Sequence, residues 1–215
     1  MIEHLNAVLF DFDGTLAPNL DLPDMRRQVI DLTLSSGVPE QVFADEYIVE
    51  IITAAQRYLS QQSREQADRY ATAAHALIRQ IEMDAAASQE VFDITRPTLA
   101  RLRDLGIRTA IVTRNCRAAV ELTFPDWAEH TDGLFARDQV DHLKPDPRHF
   151  SAALKHLSSP PPRSAIVSDG AMDMRTGRAL EMRCLGVLTG SNDAQALTEA
   201  GAHSVYETIA SVSAI

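Results

Sequence analysis

The chain has 215 residues, 45% hydrophobic and only 6% aromatic, with a formal net charge of −10. That length suits one large domain, or a domain with a smaller insert, around an aliphatic core. The acidic balance works against nucleic acid and anionic membrane surfaces as partners. Two cysteines, Cys116 and Cys184, make no disulfide framework and fit a reduced compartment. No apolar run reaches the ~20 residues that span a bilayer, and the opening "MIEHLNAVLF" lacks a basic leader region. The expectation is a cytoplasmic protein with no membrane partner.

The first element is the apolar run Ala7 to Phe10, which reads as a buried strand. It ends abruptly in "DFDGTL", with Asp11, Asp13, Gly14 and Thr15. An unpaired buried charge costs several kcal/mol, so two carboxylates at a buried strand's end need a use. Residues 17 to 94 then read as helical throughout. Asp21 with Pro23 suits a helix start, and "SGVP" at 36–39 breaks that helix. A second amphipathic run extends from Pro39 to about Ser60. Ser63 with Gln66 makes a capping-box start for a third, reaching about Met83.

From residue 95 the texture changes to strand–helix alternation. "IRTAIVT" (107–113), "SAIVSD" (164–169) and "CLGVLTG" (184–190) read as strands. "RPTLARLRDLG", "PRHFSAALKHL" and "MDMRTGRALEM" read as the helices between them. Gly106 occupies a helix C-terminal glycine position, and "SSPPPR" (158–163) reads as a loop. Such alternation specifies parallel strands with right-handed crossovers. The expected fold class is therefore α/β: a Rossmann-like parallel sheet (1–16 and 95–215) with an inserted α-helical domain (17–94).

Ligands of open α/β sheets lie beyond the carboxyl ends of the strands. There the chain places Asp11, Asp13 and Gly14, then Thr113, Arg114 and Asn115, then Lys144 in "HLKPDP", and finally Asp169 and Asp173 in "SDGAMD". Carboxylates can hold a hard divalent cation through oxygen. A hydroxyl, an ammonium group and the N–H groups of a glycine turn can surround a phosphate. One carboxylate is then left to attack phosphorus and another to move a proton.

These four motifs, in this order, resemble those of the haloacid dehalogenase superfamily, and specifically its phosphatases. "DFDGTL" is similar to the first motif, Thr113 to the second, Lys144 in "LKPDP" to the third and "SDGAMD" to the fourth. The stretch from Ile166 to Gly190 resembles phosphoglycolate phosphatase-like members, and the helical insert falls where these carry a cap. The resemblance implies that Asp11 is the nucleophile and a magnesium ligand. It implies that Asp13 is the general acid and base, with its backbone carbonyl on the metal. Gly14, Thr113 and Arg114 would hold the phosphoryl group, and Lys144 would neutralise charge on phosphate and Asp11. Asp169 would ligate magnesium directly, and Asp173 would support the site through water or Lys144. A cap would close over the substrate and select it.

Two positions depart from the family pattern: Ser168, where glycine usually precedes the aspartate, and "LAPN" after the first motif. Lys144 has company only in Lys155 against eighteen arginines, consistent with a site that requires a compact point charge. Lys155 reads as a solvated residue. His142, His149 and His156 recur every seven residues, too far apart for one ion, and read as surface histidines. Cys116 reads as a small residue at a helix start rather than a reactive thiol. Arg26, Arg27, Arg57, Arg64 and Arg69 of the insert read as solvated rather than as anion contacts.

Within the resemblance, Asp13 counts against a dehalogenase and against the ion-pumping ATPases. The absence of lysine from 17–94 removes a phosphonate hydrolase that forms a Schiff base there. A sugar-phosphate mutase and a catalytically silent binding module stay open as alternatives. The expectation is a magnesium-dependent phosphatase acting on a small phosphorylated metabolite, phosphoglycolate first, ahead of sugar phosphates, nucleotides and pyrophosphate. The oligomeric state is left open.

Overall fold

The computed structural model describes residues 5–44 and 46–214; the first four residues of the N-terminal stretch lie outside it. The chain divides into two compact units, residues 1–20 with 86–215, and residues 21–85.

The larger unit is built on six parallel strands: β1 (Ala7–Phe10), β2 (Arg108–Val112), β3 (Gly133–Phe135), β4 (Ser164–Ser168), β5 (Arg183–Val187) and β6 (Ser204–Tyr206), in the order β3-β2-β1-β4-β5-β6. β1 is central, with β2 on one side and β4 on the other, so the chain winds outward in both directions from it. That makes the carboxyl end of β1 the topological switch point, where ligands of such sheets bind. Both faces of the sheet are covered, which is why β1 is a continuous apolar run rather than an alternating one. Val8 and Phe10 pack in a core with Leu99, Leu102, Val120 and Phe124. Ala7 and Leu9 pack in a second core with Phe150, Leu154, Met174 and Leu197. The first group belongs to α4 (Thr95–Asp104), α5 (Arg117–Thr123) and the residue that follows it. The second belongs to α7 (Pro147–His156), α8 (Ala171–Ala179) and α9 (Ala194–Glu199). A single turn, α6 (Trp127–His130), lies before β3.

The smaller unit carries α1 (Leu22–Ser35), α2 (Ile48–Ser60) and most of α3 (Arg64–Ala86). Asp21 caps α1 by accepting the Asp24 N–H at 3.0 Å, with proline in the first turn. The run from Pro39 to Ser60 is not one helix. A short 3₁₀ turn at Glu40–Val42 is followed by extended backbone at Tyr47, and α2 starts only at Ile48. Arg26 explains the break: its guanidinium donates to the carbonyls of Ala44 and Glu46, groups a continuous helix would use internally. The expected capping box is half formed. Ser63 Oγ accepts the Gln66 N–H, but the Gln66 amide donates instead to the Ser36 carbonyl at 3.2 Å. Arg27, Arg64 and Arg69 pair with acids one turn away on exposed surface. Residues 17–20 and 86–94, read from sequence as part of the insert, belong to the α/β unit. Ala17 and Val91 lie in its core, and the Leu16 carbonyl accepts the Phe92 N–H and the Thr95 hydroxyl.

Two short edge strands, β3 and β6, and two short helices, α6 and α9, have no counterpart in the sequence expectation, and of α5 only the start at Cys116 is expected. With three to seven residues each, they are too short for periodicity to develop.

Candidate active site

The sequence-predicted site residues gather on the carboxyl rim of the sheet, within the α/β unit: the aspartates of the first motif, Thr113 and Asp169 follow strands, Lys144 lies in a loop and Asp173 in the first turn of α8. Asp11 comes directly after β1, its N–H still donating to the Val167 carbonyl of β4 at 3.0 Å. Its Oδ1 accepts the Phe12 N–H at 2.7 Å and the Lys144 ammonium at 2.9 Å. The chain then turns sharply: Thr15, Leu16 and Ala17 all donate to the Phe12 carbonyl. Gly14 adopts φ +75°, and a Cβ there would lie 2.7 Å from Asp169 Cγ. Both the backbone and the neighbouring carboxylate therefore demand glycine.

Asp13 leaves the same turn and is held by the second motif. Asn115 Nδ2 donates to its two oxygens at 3.0 and 3.3 Å, and Thr113 Oγ1 stands 3.5 Å away. Thr113, at the end of β2, is fixed through its N–H to the Phe135 carbonyl of β3 at 3.1 Å. The Arg114 guanidinium donates to the Lys144 carbonyl, tying the second motif to the third.

Lys144 is almost fully buried, and its ammonium bridges Asp11 Oδ1 and, at 2.8 Å, Asp173 Oδ2. Burial pushes its pKa down, but the charges of Asp11 and Asp173 outweigh that and hold it above the usual lysine value. Asp173, in the first turn of α8, also accepts the Ser168 hydroxyl at 2.7 Å on Oδ2. Its other oxygen, Oδ1, is buried and has no hydrogen-bond partner among the described residues. Asp169 follows β4. Its Oδ2 accepts the Ser191 N–H at 2.8 Å, while Thr15 Oγ1 accepts its backbone N–H at 3.1 Å. Burial, opposed by Lys144, raises Asp11 to about 6; burial and the Asp11 charge raise Asp169 to about 6.

The rim therefore sets Asp11 and Asp173 on one ammonium group with Asp169 on the same rim, an excess of negative charge in a desolvated place. Every donor offered is oxygen, and one of them, Asp173 Oδ1, is unpartnered, which fits a hard divalent cation. Among the described residues, no group of three or more His, Cys, Asp or Glu side chains is placed to hold a metal ion by itself. Asp11, Asp169 and the Asp13 carbonyl would thus supply part of a shell, with water and substrate oxygens completing it.

Three residues acquire places here that sequence reasoning did not assign. Asn115 was noted at a strand end without a role; it holds Asp13. Ser168, noted as a departure from glycine, is a polar link: its hydroxyl faces Asp173 and, at 3.3 Å, Asp11 Oδ2, and accepts the Gly170 N–H at 2.9 Å. His149, read as a surface histidine, is completely buried, whereas His142 and His156 are exposed as expected. The signal was present: positions 149, 150, 153 and 154 make one apolar stripe of α7, and His149 occupies it. Cys116 is the buried residue at the start of α5, and Lys155 is exposed.

The span of chain that carries these residues is matched by a family model. Residues 5–181 match the haloacid dehalogenase-like hydrolases, and the chain belongs to that family. It is accordingly a hydrolase, of a family that generally uses a divalent metal. Among curated relatives it is 27% identical over 177 residues to the pyrophosphatase PpaX of Bacillus cereus, covering 81% of this chain and 79% of that one. It is 26% identical to protein CbbY of Cereibacter sphaeroides, covering 84% and 83%. Among solved structures, a haloacid dehalogenase-like hydrolase from Bacteroides fragilis superposes with a TM-score of 0.68 at 21% identity, covering 97% of this chain and 99% of that one.

Proposed function

We propose that the protein is a magnesium-dependent phosphatase that hydrolyses a small phosphomonoester through an aspartyl-phosphate. The observation that carries the proposal is the buried Lys144 ammonium bridging Asp11 and Asp173, with Asp13 held two residues from Asp11 by Asn115. A neutral or apolar neighbour would leave Asp11 protonated and inert; beside Lys144 it can ionise and attack. The names of the relatives, a pyrophosphatase and CbbY, support phosphate chemistry.

In the first step an oxygen of Asp11 bonds to phosphorus while the bond from phosphorus to the ester oxygen breaks. Asp13 gives its proton to the departing alkoxide. In the second step Asp13, now a carboxylate, takes a proton from water. The water oxygen bonds to phosphorus as the Asp11–phosphorus bond breaks, releasing inorganic phosphate. Thr113, the Gly14 turn and Arg114 hold the phosphoryl oxygens, and Lys144 stabilises their charge throughout. When bound by Asp11, Asp169 and the Asp13 carbonyl, magnesium supplies Lewis-acid stabilisation of the transferring group. Phosphoglycolate leads the candidate substrates on the resemblance of residues 166–190 to phosphoglycolate phosphatase-like members, ahead of sugar phosphates, nucleotides and pyrophosphate.

The test is inorganic phosphate release from a panel of phosphate esters, with magnesium, with chelator, and with Asp11→Asn. Magnesium-dependent release is expected, falling by at least about 10³-fold in Asp11→Asn, since the nucleophile is lost. Release that persists in that variant, or none from any ester by folded protein with metal bound, would overturn the proposal.

A further inference from the structure

Lys144 must present its ammonium to two carboxylates at once, yet no strand carries it. It lies in the irregular stretch between a 3₁₀ turn at Arg137–Gln139 and the start of α7 at Pro147. Its side chain is long and flexible, so the position of its backbone decides where the charge can reach. That backbone is gripped at both polar atoms. The carbonyl accepts the Arg114 guanidinium, and the N–H donates to His149 Nδ1 at 3.1 Å.

His149 is itself anchored on its far side. Its Nε2 faces the Phe135 carbonyl at 3.0 Å. Because Nδ1 accepts an N–H, the ring proton resides on Nε2, where the carbonyl requires a donor. Both neighbours demand the same neutral tautomer. The same Phe135 carbonyl also accepts the Thr113 N–H at 3.1 Å. One carbonyl at the end of β3 is therefore the common reference for Thr113, directly, and for Lys144, through one imidazole. Two residues proposed to contact the phosphoryl group are thereby referred to a single point, Lys144 through His149.

We infer that His149 is a positioning residue: it sets the Lys144 backbone against the strand end that holds Thr113, so that ammonium, nucleophile and phosphoryl-binding hydroxyl share one frame. The inference rests on the proposed role of Lys144 and adds to it the device that aims the charge. A histidine that only filled space would be replaceable by any side chain of similar volume.

The two hydrogen bonds are separable by substitution. In His149→Asn the side-chain oxygen lies at the level of Nδ1 and can accept the Lys144 N–H, but nothing reaches Phe135. In His149→Gln the amide nitrogen lies at the level of Nε2 and can reach the Phe135 carbonyl, while the δ-position acceptor is lost. His149→Leu removes both. Each folded variant, with Lys144→Met alongside, is read as kcat and KM on para-nitrophenyl phosphate with magnesium, and as affinity for inorganic phosphate. Because the link needs both ends, we expect His149→Asn, His149→Gln and His149→Leu each to lose at least about 10-fold in kcat and in phosphate affinity. Nitrogen NMR of the parent imidazole at pH 7 is expected to show the proton on Nε2.

No loss in any variant, parent-like turnover and phosphate affinity in His149→Asn or His149→Gln, or a proton on Nδ1 would each overturn the inference. Failure of the underlying reading looks different: Lys144→Met would then turn over normally. If the parent binds phosphate without cleaving the ester, the phosphatase proposal fails while His149 is still judged by phosphate affinity.

Discussion

Burial alone pushes a carboxylate up and an ammonium or an imidazole down, and the site contains all three. Asp11 and Asp169 are pushed up to about 6, Lys144 is held above its usual value by the acids it bridges, and burial with the nearby Lys144 charge pushes His149 down to about 4. For His149 the consequence is a stability that depends on pH. An unfolded histidine takes its proton near 6.5, so between 6.5 and about 4 the unfolded chain binds more protons than the folded one. The stabilising contribution is therefore full above about 6.5 and is lost as pH falls through that window, amounting to about 3 kcal/mol by pH 4. Urea unfolding of the parent and of His149→Asn at pH 7 and pH 4 measures it. The parent should lose about 3 kcal/mol more than the variant over that interval, and parallel losses would disprove the assignment.

At the scale of elements, the close approach of α8 to the sheet sets the geometry of the fourth motif. Gly177 is in the interior of α8, where alanine would ordinarily be the better helix former by about 1 kcal/mol. Here a Cβ would lie 2.6 Å from Ile166 Cγ2 and 2.8 Å from Cys184 Sγ, on β4 and β5. Space outweighs propensity, because the neighbours are branched or bonded into the sheet rather than flexible ends. Gly177→Ala is expected to destabilise by about 1–3 kcal/mol, as overpacking does. A denaturant midpoint equal to or above the parent's would show that α8 can slide outward at no cost. Since Asp173 begins this helix, the same variant should also weaken the Asp173–Lys144 contact.

For the whole molecule, a net charge of −10 and a rim with more carboxylates than cations mean that the folded state gains from a bound cation. If magnesium binds the fold and not the unfolded chain, stability rises by about 2.7 kcal/mol at a concentration one hundred times its dissociation constant. Thermal unfolding across a magnesium titration should show a rising midpoint that reverses with chelator and is absent from Asp169→Asn. A midpoint that rises equally in that variant would place the cation elsewhere on the acidic surface.

The central strand, its two aspartates and the alternation after residue 95 were legible because each is local: a run of four buried residues, a turn glycine, a helix with its caps. Gly106 at φ +74° and the Asp21 cap appear where their chemistry predicts. The motif residues were legible for the same reason, since each stands in its own short local pattern after a strand, in a loop or in the first turn of a helix. Other features depended on contacts between distant parts of the chain. β3 and β6 are three residues long and exist through pairing with β2 and β5. The break before α2 depends on Arg26, about twenty residues earlier. Asn115 on Asp13, Ser168 on Asp173 and the chain from Thr113 through Phe135 and His149 to Lys144 all cross between elements. The sequence by itself determined which chemical groups the carboxyl rim would carry. Tertiary structure decided which of them touch, because hydrogen bonds of about 3 Å between separate strands and loops are set by packing rather than by any local pattern.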